Sequence, residues 1–393
     1  MSRFALASLL GWLLVVAHAR MVRGRLFATF LGVMLGLHSL LAAGIAGLVG
    51  PALPAFAALH AAVYVHFLLL ARPRLKPLWY RALVSVPASG FVAGTFLALP
   101  WALLGTFARP AGVWIPYALA GLGLLQSLIG REDEAHVVVG EVSASADHPT
   151  PHVVEADRAA RPLRVVQITD PHLGPFMSVR RLRAICARAV AREPDLILLT
   201  GDFLTMESQD DVRHLRDALE PLGQARGRVF ACLGNHDHEA PELVAAALAA
   251  HDIRLLVDEA TEVMTPAGLV QIVGLDFHFR DRARRIAAVF EGLTRPAGAL
   301  RVVLLHDPGA FRHVPVGEGD LVLSGHTHGG QVGLLSLGRA WTFLRLFGLK
   351  LPDHGLWARG RDRLYVHRGT GHYGFPLRLG VPNEESLLLV HRV

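Results

Sequence analysis

The chain has 393 residues, 52% of them hydrophobic, and carries 39 Lys and Arg against 33 Asp and Glu for a net charge of +6. Its length allows two or three domains. Two cysteines are too few for a disulfide framework: Cys186 falls in a helical pattern and Cys232 in a strand pattern, and both are expected to be small buried groups. The charge is unevenly spread. Residues 1–130 hold no Asp or Glu and nine basic residues (Arg3, Arg20, Arg23, Arg25, Arg72, Arg74, Lys76, Arg81 and Arg109), which leaves 30 basic against 33 acidic groups for the rest. These cations flank apolar runs, so the basic character points to a lipid bilayer as partner and away from nucleic acid.

Five apolar stretches in this first part are predicted as spans: Phe4–Ala19, Leu26–Val49, Ala55–Ala71, Leu83–Leu104 and Val113–Ile129. Roughly 17–25 residues cross a bilayer. The first resembles a secretory signal, but Arg3 alone makes a thin basic region and further spans follow at once, so retention is expected. The first loop holds Arg20, Arg23 and Arg25, and the third holds Arg72, Arg74, Lys76 and Arg81. Placing these loops in the cytoplasm puts the amino terminus outside, and five crossings return the remaining chain to the cytoplasm. If Val113–Ile129 does not cross, that remainder faces the other side. Gly32-x-x-x-Gly36 has the small-residue spacing that seats helices on one another. His18, His38, His60 and His66 lie in or beside the spans without any carboxylate, which argues against a cation pump and for an anchor.

Residues 131–161 shift to Glu, Asp, His, Pro and Arg without periodicity and are expected to be a linker, with a short edge strand at His136–Val139. Thus 1–130 reads as a transmembrane helical domain and 162–393 as a soluble one. In the latter, five strand-like runs each end in polar residues. Leu163–Thr169 leads to Asp170-Pro-His172, Asp195–Thr200 to Gly201-Asp202, and Arg228–Leu233 to Gly234-Asn235-His236-Asp237. Leu300–Leu305 leads to His306-Asp307, and Leu321–Leu323 to Ser324-Gly-His-Thr-His-Gly-Gly-Gln331. Helical patterns at Ser178–Glu193, Asp210–Leu219 and Pro241–His251 separate the early runs. Strands alternating with helices build layered α/β sheets whose ligands collect at the strands' carboxyl ends, where every one of these polar groups sits. On an extended segment, i and i+2 point the same way, so Asp170 with His172, and His326 with His328, can each face one site.

Asp-x-His, Gly-Asp, Gly-Asn-His-Asp, a lone His and Gly-His-x-His, in that order over residues 163–393, resemble the calcineurin-like metallophosphoesterase superfamily. The Gly-His-Thr-His-Gly-Gly-Gln form, with Gly369-Thr-Gly371, Pro376-Leu-Arg378 and Pro382-Asn-Glu384 near the end, is similar to its bacterial, membrane-associated branch. The resemblance implies a layered α/β/β/α sandwich and two divalent ions, Mn, Fe or Zn. It implies that Asp170, His172 and His328 hold the first ion, that Asp202 bridges, and that Asn235, His306 and His326 hold the second. Two such ions about 3.5–4 Å apart can neutralise the phosphoryl oxygens, generate a bridging hydroxide and stabilise the leaving alkoxide.

His236 is the candidate to protonate the leaving oxygen, and Asp237 either orients it or is structural. Asp307, His238 and His278 are expected to be solvated or supporting groups, and Gly201, Gly234 and Gly325 to serve turns. Two departures stand out: Phe203-Leu204-Thr205 lacks the second acidic residue that relatives often place there, and no long insertion separates the blocks, which weighs against DNA processing. Gly333–Leu351 mixes Trp341, Phe343, Phe347 and seven leucines with Arg339, Arg345 and Lys350, and is either an interfacial segment or a helix packed on the sheet. Together these features predict a membrane-anchored dimetal phosphohydrolase acting on a phosphodiester or pyrophosphate, with a lipid-linked phosphate as candidate substrate and UDP-diacylglucosamine pyrophosphatases among the relatives. The alternatives are a non-catalytic scaffold or sensor and a tethered nucleotide phosphodiesterase.

Overall fold

The structure, a computed structural model, describes residues 2–140, 150–151, 161–349, 351–372, 374–375 and 377–393. Most of the expected linker (141–149 and 152–160), Lys350 and Pro376 lie outside the described residues. The chain divides into two compact units. One comprises Met1–Leu128 with Met206–Asp210 and Tyr373–Leu379, and the other comprises Ile129–Thr205, Asp211–His372 and Gly380–Val393.

The first unit is helical: α1 (Arg3–Val22), α2 (Arg25–Ala46), α3 (Leu53–Leu70), α4 (Leu78–Tyr80), α5 (Val86–Leu97), α6 (Leu99–Leu104) and α7 (Ile115–Gln126). Ser2 caps α1 by accepting the Ala5 N–H at 3.1 Å, and Gly24, at φ 101°, makes the turn into α2. Among the described residues, Arg3–Val22, Arg25–Ala46 and Gly50–Leu70 are long and apolar enough to cross a membrane. The fourth and fifth expected spans do not form single helices of that length. Leu83–Leu104 is divided by a π-helical turn, Arg81–Ser85, and by a break at Ala98, just before Pro100 removes a backbone donor. Val113–Ile129 contains only the 12-residue α7, about 18 Å at 1.5 Å per residue.

The glycine spacing in α2 faces α1, since the Trp12 indole N–H donates to the Gly32 carbonyl at 2.9 Å and Gly36 lies against the same ring. Two of the span histidines form a buried polar network. His38 Nε2 and His60 Nδ1 are 3.2 Å apart, and His60 Nε2 meets Ser8 Oγ at 2.8 Å and the Tyr64 hydroxyl at 3.0 Å. Such interhelical bonds satisfy polar groups that lipid cannot.

The second unit is built from two sheets. The first has the order β1 (Gly130–Val139), β13 (Asn383–Arg392), β3 (Leu163–Ile168), β4 (Leu196–Leu199), β5 (Val229–Ala231) and β6 (Arg254–Leu255). The second has the order β2 (Thr150–Pro151), β11 (Gly355–Arg359), β12 (Asp362–Val366), β10 (Leu321–Ser324), β9 (Leu300–Leu305), β8 (Gly268–Leu275) and β7 (Glu259–Thr265). Strands β3 to β6 run parallel, as do β12, β10, β9 and β8, while β13 pairs antiparallel with β3. The expected edge strand His136–Val139 is the end of the longer β1, which is parallel to β13.

Period-2 alternation assigns the layers. Val165, Leu196 and Leu198 point into the core shared with Val302, Leu304, Leu321 and Leu323 of the facing sheet. Val166, Ile168, Ile197 and Leu199 point outward onto α8 (Val179–Ala191), α9 (Val212–Leu219) and α10 (Pro241–Ala249). On the opposite face, α11 (Arg282–Glu291) and the 3₁₀ turn Pro308–His313 cover Val303, Leu305, Val322 and Leu364. The result is the α/β/β/α sandwich, with the carboxyl ends of β3, β4, β5, β9 and β10 left to carry the polar groups.

Candidate metal centre

The polar residues beyond those strand ends converge. Asp170, His172 and His328 form one cluster and Asp202, His306 and His326 a second, each with its potential ligand atoms within 4.8 Å of one another. Asp202 Oδ2 lies 3.6 Å from His172 Nε2 and 3.2 Å from His306 Nε2, so it stands between the clusters. In the first cluster, His172 Nε2 and His328 Nε2 are 3.2 Å apart, and His328 Nε2 is 3.4 Å from Asp170 Oδ1. The second is oriented from behind: His306 Nδ1 meets the Thr200 carbonyl at 2.6 Å, which turns Nε2 toward Asp202.

The backbone differs from the extended geometry expected for these pairs. Asp170, His172, Asp202, His326 and His328 all have φ between 45° and 66°, the left-handed region. Each costs roughly 1–3 kcal/mol in a residue with a Cβ, and such strain gathers where side-chain aim matters more than stability. One consequence separates His326 from His328: the two imidazoles enter different clusters instead of one.

A divalent cation fits the donor set. Asp170 and Asp202 are buried carboxylates, His306 Nε2 faces Asp202 Oδ2 at 3.2 Å, and the buried Asn235 Oδ1 has no hydrogen-bond partner among the described residues. Imidazole nitrogens facing two carboxylates, together with an unpartnered carboxamide oxygen, are a donor set that a cation of this class completes. Burial pushes His172 down to about 3 and His326 down to about 4, so both are neutral and able to ligate. His306 responds to its neighbours: burial lowers it, but Asp202 and Asp170 outweigh burial and push it up to about 10 when only protons balance their charge.

Two of the motif glycines act by leaving room. A Cβ on Gly325 would sit 2.0 Å from Asp170 Oδ2, and one on Gly234 would sit 2.2 Å from Asp202 Oδ1. Gly325→Ala is therefore expected to displace the Asp170 carboxylate. It should lower metal content and reduce stability by roughly 1–3 kcal/mol, as overpacking does. Elemental analysis and thermal unfolding of the purified variant check both.

A model of the calcineurin-like phosphoesterase family matches residues 163–330. Phosphodiesterase YaeI of Escherichia coli is 30% identical over 234 residues, which cover 58% of this chain and 82% of that protein. The chain belongs to the calcineurin-like phosphoesterase family. It is a metal-dependent hydrolase of that family, on a chain whose described residues include three helices of membrane-spanning length. A transmembrane protein with metallophosphoesterase domain from Danio rerio is 28% identical, covering 56% of this chain and 52% of that one. UDP-2,3-diacylglucosamine pyrophosphatase LpxG of Chlamydia muridarum is 27% identical, covering 53% of this chain and 78% of that one.

Within this phosphoesterase site, His236 follows Asn235 and donates its backbone N–H to Asp202 Oδ1 at 2.8 Å. Its ring lies edge-on to His172 with centroids 5.5 Å apart. The residue facing its Nδ1 is Glu239, at 3.2 Å, and not Asp237. Asp237 is fully buried and accepts the N–H groups of Asp202, Phe203 and Gly234 at 2.7, 2.8 and 2.8 Å. It clamps the two loops that carry Asp202 and Asn235, which assigns it the structural alternative. Sequence reasoning missed Glu239, whose spacing of three residues from His236 on the 3₁₀ turn Asp237–Glu239 was the available signal. Burial lowers His236, but the Glu239 hydrogen bond and Asp202 outweigh it, so its pKa lies above the ordinary imidazole value.

The supporting groups hold no place in either cluster. Asp307 accepts the Gly309 N–H at 2.8 Å and pairs with Arg282, His238 meets Asp276 at 3.0 Å, and His278 meets Asp258 at 2.9 Å.

The C-terminal signature braces the first cluster. Thr370 N–H donates to the Thr169 carbonyl at 2.9 Å and Gly371 N–H to the Asp170 carbonyl at 3.0 Å. Glu384 accepts the Tyr365 hydroxyl at 2.5 Å and the Arg368 N–H at 3.0 Å. Burial raises Glu384, but His367, Arg368 and these hydrogen bonds outweigh it and hold the carboxyl at about 2. A folded-state value below the unfolded 4.5 gives stability that is complete above about pH 4.5 and drains away as the pH falls toward 2. At neutral pH the contribution is on the order of 3 kcal/mol. Glu384→Gln should remove most of it and flatten the acid limb of the stability profile between those values, as followed by denaturant unfolding at stepped pH.

Proposed function

We propose that this chain is a membrane-anchored two-metal phosphohydrolase that cleaves a phosphodiester or pyrophosphate bond in a lipid-linked substrate at the cytoplasmic face. The observation that carries the reading is the position of Asp202 Oδ2 between two buried ligand clusters. Asp170, His172 and His328 would hold one ion, Asn235, His306 and His326 the other, with Asp202 between them. Divalent ions bound there supply Lewis acidity and positive charge to the phosphoryl oxygens and to the oxygen that leaves. The chain's own part is to aim and to move a proton. His236, kept protonated by Glu239 at Nδ1, delivers a proton from Nε2 to the leaving oxygen.

The lipid substrate is supported by the helices of spanning length and by similarity to a lipid-precursor pyrophosphatase. Orientation follows from the basic loops on either side of α2 and α3. With Arg20, Arg23 and Arg25, and then Arg72, Arg74, Lys76 and Arg81, held inside, three crossings bring the chain into the cytoplasm. The later helices preserve that side if both cross or neither does.

Hydrolysis of a diacyl-lipid pyrophosphate in mixed micelles, of a nucleoside diphosphate and of a cyclic nucleotide would test the substrate class. The lipid should be turned over at least about tenfold faster in kcat/KM, the discrimination from roughly 1.4 kcal/mol of extra transition-state binding. Faster cleavage of the cyclic nucleotide would favour the tethered nucleotide phosphodiesterase instead.

A further inference from the structure

Just beyond the ligand-bearing loop, residues 333–349 form neither a sheet-packed helix nor a polar loop. They make a hairpin-like excursion, with Gly333 bridged to Thr342, a 3₁₀ turn at Leu335–Leu337 and the short helix α12 (Phe343–Leu346). The apolar side chains point out: Leu337 is 74% exposed, Trp341 60%, Leu346 67% and Phe347 70%. Large apolar side chains grouped on one exposed segment mark an interaction surface.

The excursion is tied down by hydrogen bonds at its base. Buried Asp353 accepts the Thr342 hydroxyl at 2.5 Å and the Arg345 Nε and Nη2 hydrogens at 3.0 and 2.8 Å, and His354 together with these two partners overcomes burial to bring its carboxyl down to about 2. Its carbonyl accepts the Thr327 hydroxyl at 2.7 Å, and Thr327 is flanked by His326 and His328. Leu344, on the inner side of α12, lies against Gly330. The outward apolar surface is therefore fixed to the ligand loop.

We propose that residues 333–349 dock onto a lipid bilayer, with Leu337, Trp341, Leu346 and Phe347 entering the headgroup–acyl boundary of an anionic membrane. Charge selects this occupant. Arg345 is paired with Asp353, but Arg339 is exposed and the segment holds no acidic residue, so its outward face stays cationic, which suits anionic headgroups and disfavours a second copy of the same surface. Tethering adds to it, because helices of spanning length keep a bilayer at high effective concentration around every copy. The inference rests on those helices being inserted, as read above, and it gives the lipid substrate a route: the surface that meets the membrane is hydrogen-bonded to the loop carrying His326 and His328.

The test uses the full chain reconstituted in phosphatidylcholine vesicles containing phosphatidylglycerol. Cys186 and Cys232 are both buried, so an environment-sensitive fluorophore can be placed selectively at Leu337→Cys, Phe347→Cys and, as a distant exposed control, Glu262→Cys. Labels at 337 and 347 should be quenched several-fold more by doxyl lipids than by aqueous iodide, with the reverse at 262. Labels at 337 and 347 that behave like the control would overturn the proposal. So would protection that appears only at high protein-to-lipid ratio together with crosslinking between copies, the signature of a second chain as occupant. In parallel, the combined variant Trp341→Ser, Phe343→Ser and Phe347→Ser should slow a lipid substrate at least tenfold more than the soluble bis-(p-nitrophenyl) phosphate, and equal loss on both would count against docking. The labelling readout needs no turnover, so failure of the lipid-substrate reading alone would leave it unchanged.

Discussion

Asp202→Asn is expected to lower kcat/KM for bis-(p-nitrophenyl) phosphate about 1,000-fold with the fold intact, the loss that follows from roughly 4 kcal/mol of forfeited charge stabilisation. The substitution keeps shape and keeps an oxygen able to accept the His236 N–H, now 2.8 Å from Oδ1. What it removes is the negative charge whose Oδ2 stands 3.6 Å from one cluster and 3.2 Å from the other. With chelator present, the variant should melt lower than the wild type, because Asp202 is then the ionised partner of a protonated, buried His306 and the substitution leaves that cation less compensated. With divalent metal added, the wild type should gain stability by mass action and the variant much less. A non-catalytic scaffold would behave differently: neither protein would turn over the diester.

His236→Gln is expected to reduce kcat by about 10²–10⁴, the range for loss of a general acid, with metal content unchanged. The loss should be larger for an alkyl leaving group, which needs its proton, than for p-nitrophenolate, which does not. Uniform loss across leaving groups would assign the ring to charge stabilisation and not to proton donation. Glu239 supplies a second handle. It helps hold His236 above the ordinary imidazole value, so Glu239→Gln should move the alkaline limb of the rate profile to lower pH.

The sandwich was legible, and so was the gathering of polar groups at one sheet edge, because each follows a strand whose alternating side chains fix its end, whereas the division of those groups into two clusters came only with the family resemblance. Val165 and Val166 face opposite layers, which leaves Asp170 at the rim beyond them. The local conformation was not legible. Spacing at i and i+2 suggested an extended pair at His326 and His328, yet both residues are left-handed and diverge. Nothing in a spacing rule reports a backbone that only the surrounding loops can hold in place.

Adjacency misled in the same way at Asp237. The residue next to His236 turned inward to collect three backbone N–H groups, and the partner came from Glu239, one 3₁₀ turn along. Hydropathy located the apolar first part but overcounted long helices, because a π-helical turn and a break before Pro100 do not alter composition. The segment at 333–349 had two readings from composition, and only the side-chain directions removed the sheet-packed helix.

The most direct test of the central claim is a crystal of the purified full chain soaked in manganese, with anomalous scattering recorded to locate the ions. Two peaks about 3.5–4 Å apart, one within bonding reach of Asp170, His172 and His328, the other of Asn235, His306 and His326, and both of Asp202, are the expected result. A single peak, or two peaks with Asp202 touching neither, would contradict it.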